Sequence, residues 1–199
     1  MYPLLLFSVI SFAVILERAL FYLLSRSHSA GTIEEIAAIY KECGDLKAAA
    51  GRFTEKQKRV YFLPLVTVYF DALDEIPHLF EEHLFAEAKE IVMINERRLP
   101  VLASIAAIAP LFGLFGTVLG MIEVFQRLAA LGGRADVALL SDGIWVALIT
   151  TAFGLFVAIP SLLAHHYFSR LVSGRSDYME LLIARLNILT GKVNTGSRT

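Results

Sequence analysis

Apolar positions along the chain gather into three long runs separated by stretches of mixed character. The first run, Tyr2 to Leu24, has 23 residues and predicts a helix of about 34 Å, enough to cross a hydrocarbon core. Glu17 and Arg18 interrupt it two-thirds of the way along. Charges at that depth are costly unless paired, snorkelled or facing protein. The second run extends from about Val101 to Phe125, and the third from Val137 or Leu139 to His165. A short linker joins them, with Gly132 and Gly133 marking a turn.

The stretch between the first and second runs alternates apolar and polar residues at helical spacing. Thr32 as N-cap with Glu35 three residues on predicts a capping box. Ile33, Ile36, Ala37 and Tyr40 then share a face. Gly44 and Asp45 mark a stop and restart, followed by a helix from Asp45 to Gly51. Lys58 to Asp74 reads as a further helix, with Pro64 near its start. From Pro77 the pattern is helical again. It is expected to run into the second apolar run as one rod, with a kink at Pro100. The whole predicts an all-α integral membrane protein with three transmembrane helices and a helical domain between the first two. The boundaries read from the pattern are 1–24, 25–100, 101–126, 127–138, 139–168 and 169–199.

Composition sharpens this picture. Hydrophobic residues make up 56% of the 199 and charged residues only 19%, against roughly 25% in soluble domains. The net charge of -1 argues against nucleic acid as a partner. The single cysteine, Cys43, rules out an intramolecular disulfide. The apolar start has no basic region ahead of it, so it is expected to be a retained span rather than a cleaved leader.

Basic residues near the span ends set the expected orientation. Arg26 follows the first span, Arg97 and Arg98 precede the second, and Arg170 and Arg175 follow the third. Arg127 and Arg134 on the short linker weaken the contrast without reversing it. The N-terminus is expected outside, with 25–100 and the C-terminal tail in the cytoplasm of a bacterial inner-membrane protein. Segment 25–100 carries 13 acidic and 10 basic residues and is expected to pack on itself or on neighbouring subunits.

The chemistry inside the second and third runs is sparse. Gly113, Gly116 and Gly120 form a small-residue face suited to close helix packing, and Gly154 is a further packing glycine in the third. Pro110 and Pro160 each free a backbone carbonyl. Thr117, Thr150 and Thr151 are the informative polar residues. Thr117 and Thr151 fall about 12 Å and 18 Å from the outer ends of their helices, so they either share a level and line a narrow polar path or bond to their own carbonyls. Glu123 and Asp142 sit near the outer ends, as interfacial carboxylates or as a vestibule that concentrates cations. His165 and His166 adjoin the inner edge and read as interfacial anchors. His28, His78 and His83 have no partner pattern, and the HExxH arrangement is absent. No catalytic, cofactor-binding or metal-ligating constellation is visible, so the chain does not read as an enzyme.

The residues then carry a resemblance. Ala109 to Phe125, APLFGLFGTVLGMIEVF, and Asp142 to Phe168, DGIWVALITTAFGLFVAIPSLLAHHYF, resemble the second- and third-span signatures of the MotA/TolQ/ExbB proton-channel family, in its ExbB/TolQ branch. The opening Tyr2 to Leu23, with Glu17, Arg18, Tyr22 and Leu23, resembles that branch's first span. The resemblance covers almost the whole chain in order.

It implies a homopentameric ring in which the second and third spans line a pore, set in the inner membrane among phospholipids. A dimer of a single-span ExbD/TolR-like protein would sit inside and carry a proton-binding aspartate. A TonB/TolA-like periplasm-spanning protein would take up the work, in transport across the outer membrane or its upkeep. It implies that Thr117 and Thr151 face the partner's aspartate, with Thr150 a further pore-lining candidate beside them, that Pro110 and Pro160 shape the helices, and that Arg18 and Glu17 close the first span. One departure stands out: Val146 occupies a position that often carries a glutamate in this family. Glu123 is a candidate for part of the missing charge. The alternative reading is a structural membrane scaffold that conducts no protons.

Overall fold

A computed structural model describes residues 2–25, 61–74, 76–130 and 137–190, together with Ala38. The described residues form five α-helices and one short 3-10 turn, with no strand. They are α1 (Tyr2–Leu24), α2 (Leu63–Asp71), the 3-10 turn Ala72–Asp74, α3 (Pro77–Glu96), α4 (Leu99–Ala130) and α5 (Val137–Thr190). Helices α1, α4 and α5 are each long and apolar enough to cross a membrane. The protein is thus the all-α membrane protein its apolar pattern predicts. The capping box at Thr32, the helix from Asp45, Cys43, the glycine turn at 132–133 and the tail beyond Thr190 lie outside the described residues.

The expected rod from Pro77 into the second span does not form. α3 ends at Glu96 and α4 begins at Leu99. The physical cause is Pro100. A proline inside a helix clashes with the carbonyl four residues back, here Glu96, and lacks the N–H that would bond it. The chain stops the first helix at that carbonyl and restarts, leaving Pro100 at the second position of α4, where no N–H partner is needed. Arg98 makes the turn in the left-handed region, at φ 73°, an uncommon conformation for a residue with a Cβ. Pro110 and Pro160, by contrast, lie inside continuous helices.

The chain divides into two compact units, Met1–Ala19 with Arg98–Ser169, and Leu20–Arg97 with Arg170–Thr199. The first holds the apolar stretches. Its small core joins Leu4 to Ile105, Ala109, Val157 and Ala158. Glu17 pairs with both Arg18 and Arg98, so the charges that interrupt the first run neutralise one another. Ser11 and Ser161, both buried, share a 2.6 Å hydrogen bond.

The second unit has a larger core. Phe62, Leu65, Val66, Tyr69 and Phe70 pack with Phe80, Leu84 and Ile91 of α3 and with Met179, Leu182 and Leu186 of α5. The Tyr69 hydroxyl meets Asn187 Oδ1 at 2.9 Å and Thr190 Oγ1 at 2.8 Å. Arg175 is buried, although its place after the third run suggested an interfacial charge. It donates to Asn95 Oδ1 at 2.6 Å and to the Ser25 carbonyl at 3.2 Å. Its guanidinium also lies 4.6 Å and 4.5 Å from the Tyr22 and Tyr61 ring centres, within cation–π range.

Candidate functional site

The second and third spans meet along a seam of small residues. A Cβ placed on Gly113 would lie 3.0 Å from Thr151 Cα and 3.1 Å from the Thr150 carbonyl oxygen. One on Gly154 would lie 2.8 Å from the Ala109 carbonyl oxygen and 3.1 Å from Gly113 Cα. Further along, Gly116 faces Thr150, Gly120 faces Ala147, and Gly143 faces Val124. Positions rising on α4 meet positions falling on α5, so the helices are antiparallel. The steps of three and four residues on both sides are those of knobs-into-holes packing, here with the small residues that let backbones touch. Gly113, Gly116, Gly120 and Gly154 are all in this seam, as their spacing suggested.

That register gives the level of the threonines relative to one another. Gly116 faces Thr150, so Thr117 is level with Thr150 and Thr151. Their different distances from the helix ends reflect only where the helices stop. The three hydroxyls are satisfied differently. Thr117 Oγ1 donates to its own helix at the Leu114 carbonyl, 2.7 Å away. Thr150, buried in the seam, donates to the Ala147 carbonyl at 2.6 Å and lies 3.5 Å from the Gly113 carbonyl. Thr151 Oγ1 is buried and has no hydrogen-bond partner among the described residues. Local bonding to the helix therefore accounts for two of the hydroxyls, and the third is enclosed without a hydrogen-bond partner among the described residues.

No carboxylate of these two spans lies at that level. Their acids are Glu123 and Asp142, near the ends joined by the short linker. Glu123 is exposed and accepts a 2.5 Å hydrogen bond from Arg127 one turn on, an i,i+4 pair that compensates its charge. Val146 is half exposed. Pro110 lies partly buried beside the seam and Pro160 is exposed. Arg18 is 4% exposed and bonds Glu17 at 3.3 Å. Among the described residues no group of His, Cys, Asp and Glu could hold a metal ion.

The model of the MotA/TolQ/ExbB proton channel family matches residues 54–181, well over half of the chain. The chain belongs to this family. The similar proteins fall in the ExbB/TolQ branch. The biopolymer transport protein exbB1 of Vibrio cholerae is 41% identical over 90 residues, 43% of this chain and 40% of that protein. The Tol-Pal system protein TolQ of Haemophilus influenzae is 42% identical over 84 residues, 42% of this chain and 36% of that one. The ExbB-like 1 protein of Synechocystis is 29% identical over 195 residues, 97% of this chain and 76% of its own length. The chain thus spans about two-fifths or less of the length of the first two relatives in these alignments. For a proton channel family, a buried hydroxyl without a partner in a glycine-packed seam is the most informative polar feature of the two spans.

Sequence reasoning missed two constellations. Ser11 and Ser161 were hidden among apolar neighbours, and only the placement of α1 against α5 reveals them. The surroundings of Arg175 come from Tyr22, Ser25, Tyr61 and Asn95, four positions scattered along the chain. The proline one residue before Ser161 and the arginine in an otherwise periodic helix were the available signals.

Proposed function

We propose that this chain is the ring subunit of an inner-membrane motor of the ExbB/TolQ kind, driven by the proton-motive force. In this reading five copies surround a dimer of a single-span ExbD/TolR-like protein. The N-terminus faces the periplasm, and residues 25–100 and 169–199 are cytoplasmic. The motor works on the cell envelope through a TonB/TolA-like protein. The names of the relatives, biopolymer transport and Tol-Pal system, support such a role.

The observation that carries the reading is the level shared by Thr117, Thr150 and Thr151, with Thr151 Oγ1 unpartnered and both span carboxylates elsewhere. The chain offers hydroxyls where a proton must pass but no group there that can hold one. A carboxylate brought in by a partner would have a pKa raised by the low dielectric and would cycle between charged and neutral forms beside those hydroxyls. One charge crossing the membrane contributes about 2.3 kcal/mol per 100 mV. The exposed apolar faces of α4 and α5, with Leu114, Phe115, Trp145 and Phe156 among them, are suited to lipid and to neighbouring subunits.

Co-expression with an aspartate-bearing single-span protein of the ExbD/TolR kind, followed by native mass spectrometry and proton flux into vesicles, tests the proposal. The expected result is a 5:2 complex that conducts, about tenfold or more slowed by Thr151→Val, with no flux through the ring alone. Val146, in place of the family's frequent acid, favours the alternative of a scaffold. A 5:2 complex that carries no protons would establish that alternative.

A further inference from the structure

The buried positions of α5 follow steps of three and four residues: Ala147, Thr150, Gly154, Val157 and Ser161, then Phe168 onward. Between Ser161 and Phe168 the buried stripe has one gap, filled by the half-buried Ala164 and His165. An aliphatic residue would suit that place in an apolar seam. The imidazole there has its Nδ1 buried with no hydrogen-bond partner among the described residues. His165 lies two heptads beyond Thr151, so the two occupy nearly the same face of the helix, about 21 Å apart along its axis. Each puts an unpartnered buried polar atom on that face. Buried polar atoms are nearly always satisfied, so an exception calls for a role.

Its neighbourhood supports one. One turn before His165, Ser161 Oγ donates to the Val157 carbonyl at 2.7 Å. Its single proton is thereby used, so the 2.6 Å bond with Ser11 has Ser11 as donor. Residues four apart on a helix are neighbours, which puts a buried hydroxyl pair next to the imidazole. The Glu17–Arg98 pair and the α4–α5 seam together make α1 parallel to α5. With Ser11 opposite Ser161, Glu17 and Arg18 therefore lie about 3–5 Å beyond the level of His165. The His166 ring centre is 5.6 Å away, and Arg170 follows on the same helix.

We propose that His165 is the residue at which protons are exchanged at the inner end of this subunit's path. A proton binds the bare ring nitrogen and another leaves from the opposite nitrogen, so the imidazole returns to its neutral charge as the other tautomer and a ring flip resets it for the next proton. Imidazole is suited to this because it has two distinct nitrogens, one a donor and the other an acceptor in the neutral ring. Ser11 and Ser161 place a buried hydroxyl pair one turn from it, on the side toward the mid-membrane hydroxyls. This role rests on the motor reading above, and it adds a proton carrier that belongs to the ring rather than to its partner.

The test uses the complete complex in vesicles, with flux normalised to assembled complexes weighed by native mass spectrometry. His165→Gln is expected to assemble and to conduct about tenfold or more slowly. His165→Ala is expected to regain flux when imidazole is added, an effect that a packing role would not produce. A wild-type complex that carries no protons overturns the motor reading and this inference together. A conducting wild type with an equally fast His165→Gln overturns the inference alone. So does failure of both variants to assemble, which would make the ring a packing element, or a slow His165→Ala that imidazole does not restore.

Discussion

Two glycines show how the same substitution takes opposite signs in one helix. Gly154 lies against backbone atoms that cannot rotate away, the Ala109 carbonyl and Gly113 Cα. Gly154→Ala must push α4 and α5 apart and is expected to cost about 1–3 kcal/mol. Gly174, also in α5, is exposed and has nothing within 4 Å of where a Cβ would stand. There Gly174→Ala replaces the most flexible residue in a helix interior and is expected to gain about 1 kcal/mol. Thermal unfolding of the purified protein in mild detergent reads both, and equal shifts would refute the seam. The glycine spacing announced a packing face. It did not tell Gly154, which lies against backbone atoms, from Gly116, which meets the side chain of Thr150 at its Oγ1 and Cβ.

At the scale of elements, the Ser11–Ser161 bond is a polar link between α1 and α5 within the first unit, and its two halves are unequal. Ser161 still bonds the Val157 carbonyl when Ser11 is gone, so Ser11→Ala should cost little, about 0.5 kcal/mol. Ser161→Ala leaves the Ser11 hydroxyl buried without that partner, and is expected to cost about 1–2 kcal/mol. Unfolding of the two single variants and the double variant measures the asymmetry. Equal losses would mean that the pair does not act as drawn. The helices themselves were legible from the apolar runs, because a 20-residue apolar segment has few other fates. The break between α3 and α4 was misplaced for a definite reason. Pro100 lies inside the second helix by pattern, but its steric effect falls four residues earlier, at Glu96.

For the molecule as a whole, the second unit carries a testable pH dependence. Burial pushes the Tyr61 hydroxyl up to about 12, although the nearby Arg175 opposes the shift. Burial raises Tyr69 as well. The folded form therefore holds these protons where the unfolded chain, ionising near 10, has lost them. The stabilising contribution is complete below pH 10 and is lost as pH rises toward 12. Burial lowers Arg175, and that contribution has the opposite sign. Alkaline unfolding followed by helical signal and tyrosinate absorbance should show the loss in this window, smaller in Tyr61→Phe, with Tyr69 retaining its share. An unchanged pH profile in Tyr61→Phe would contradict the burial of that hydroxyl.

The sequence by itself determined the class of the protein, its three apolar helices, its family and the small-residue faces, because length, apolar periodicity and glycine spacing are local properties of the chain. It also placed threonines in both spans, but not their common level, which depends on the register of two antiparallel helices. Only tertiary structure decided which hydroxyls satisfy themselves and which does not, that Glu17 is shared by Arg18 and Arg98, and that Arg175 is buried among two tyrosines and an amide. Each of these depends on groups far apart in the chain, and side-chain pairing of that kind leaves no periodic trace in a single sequence.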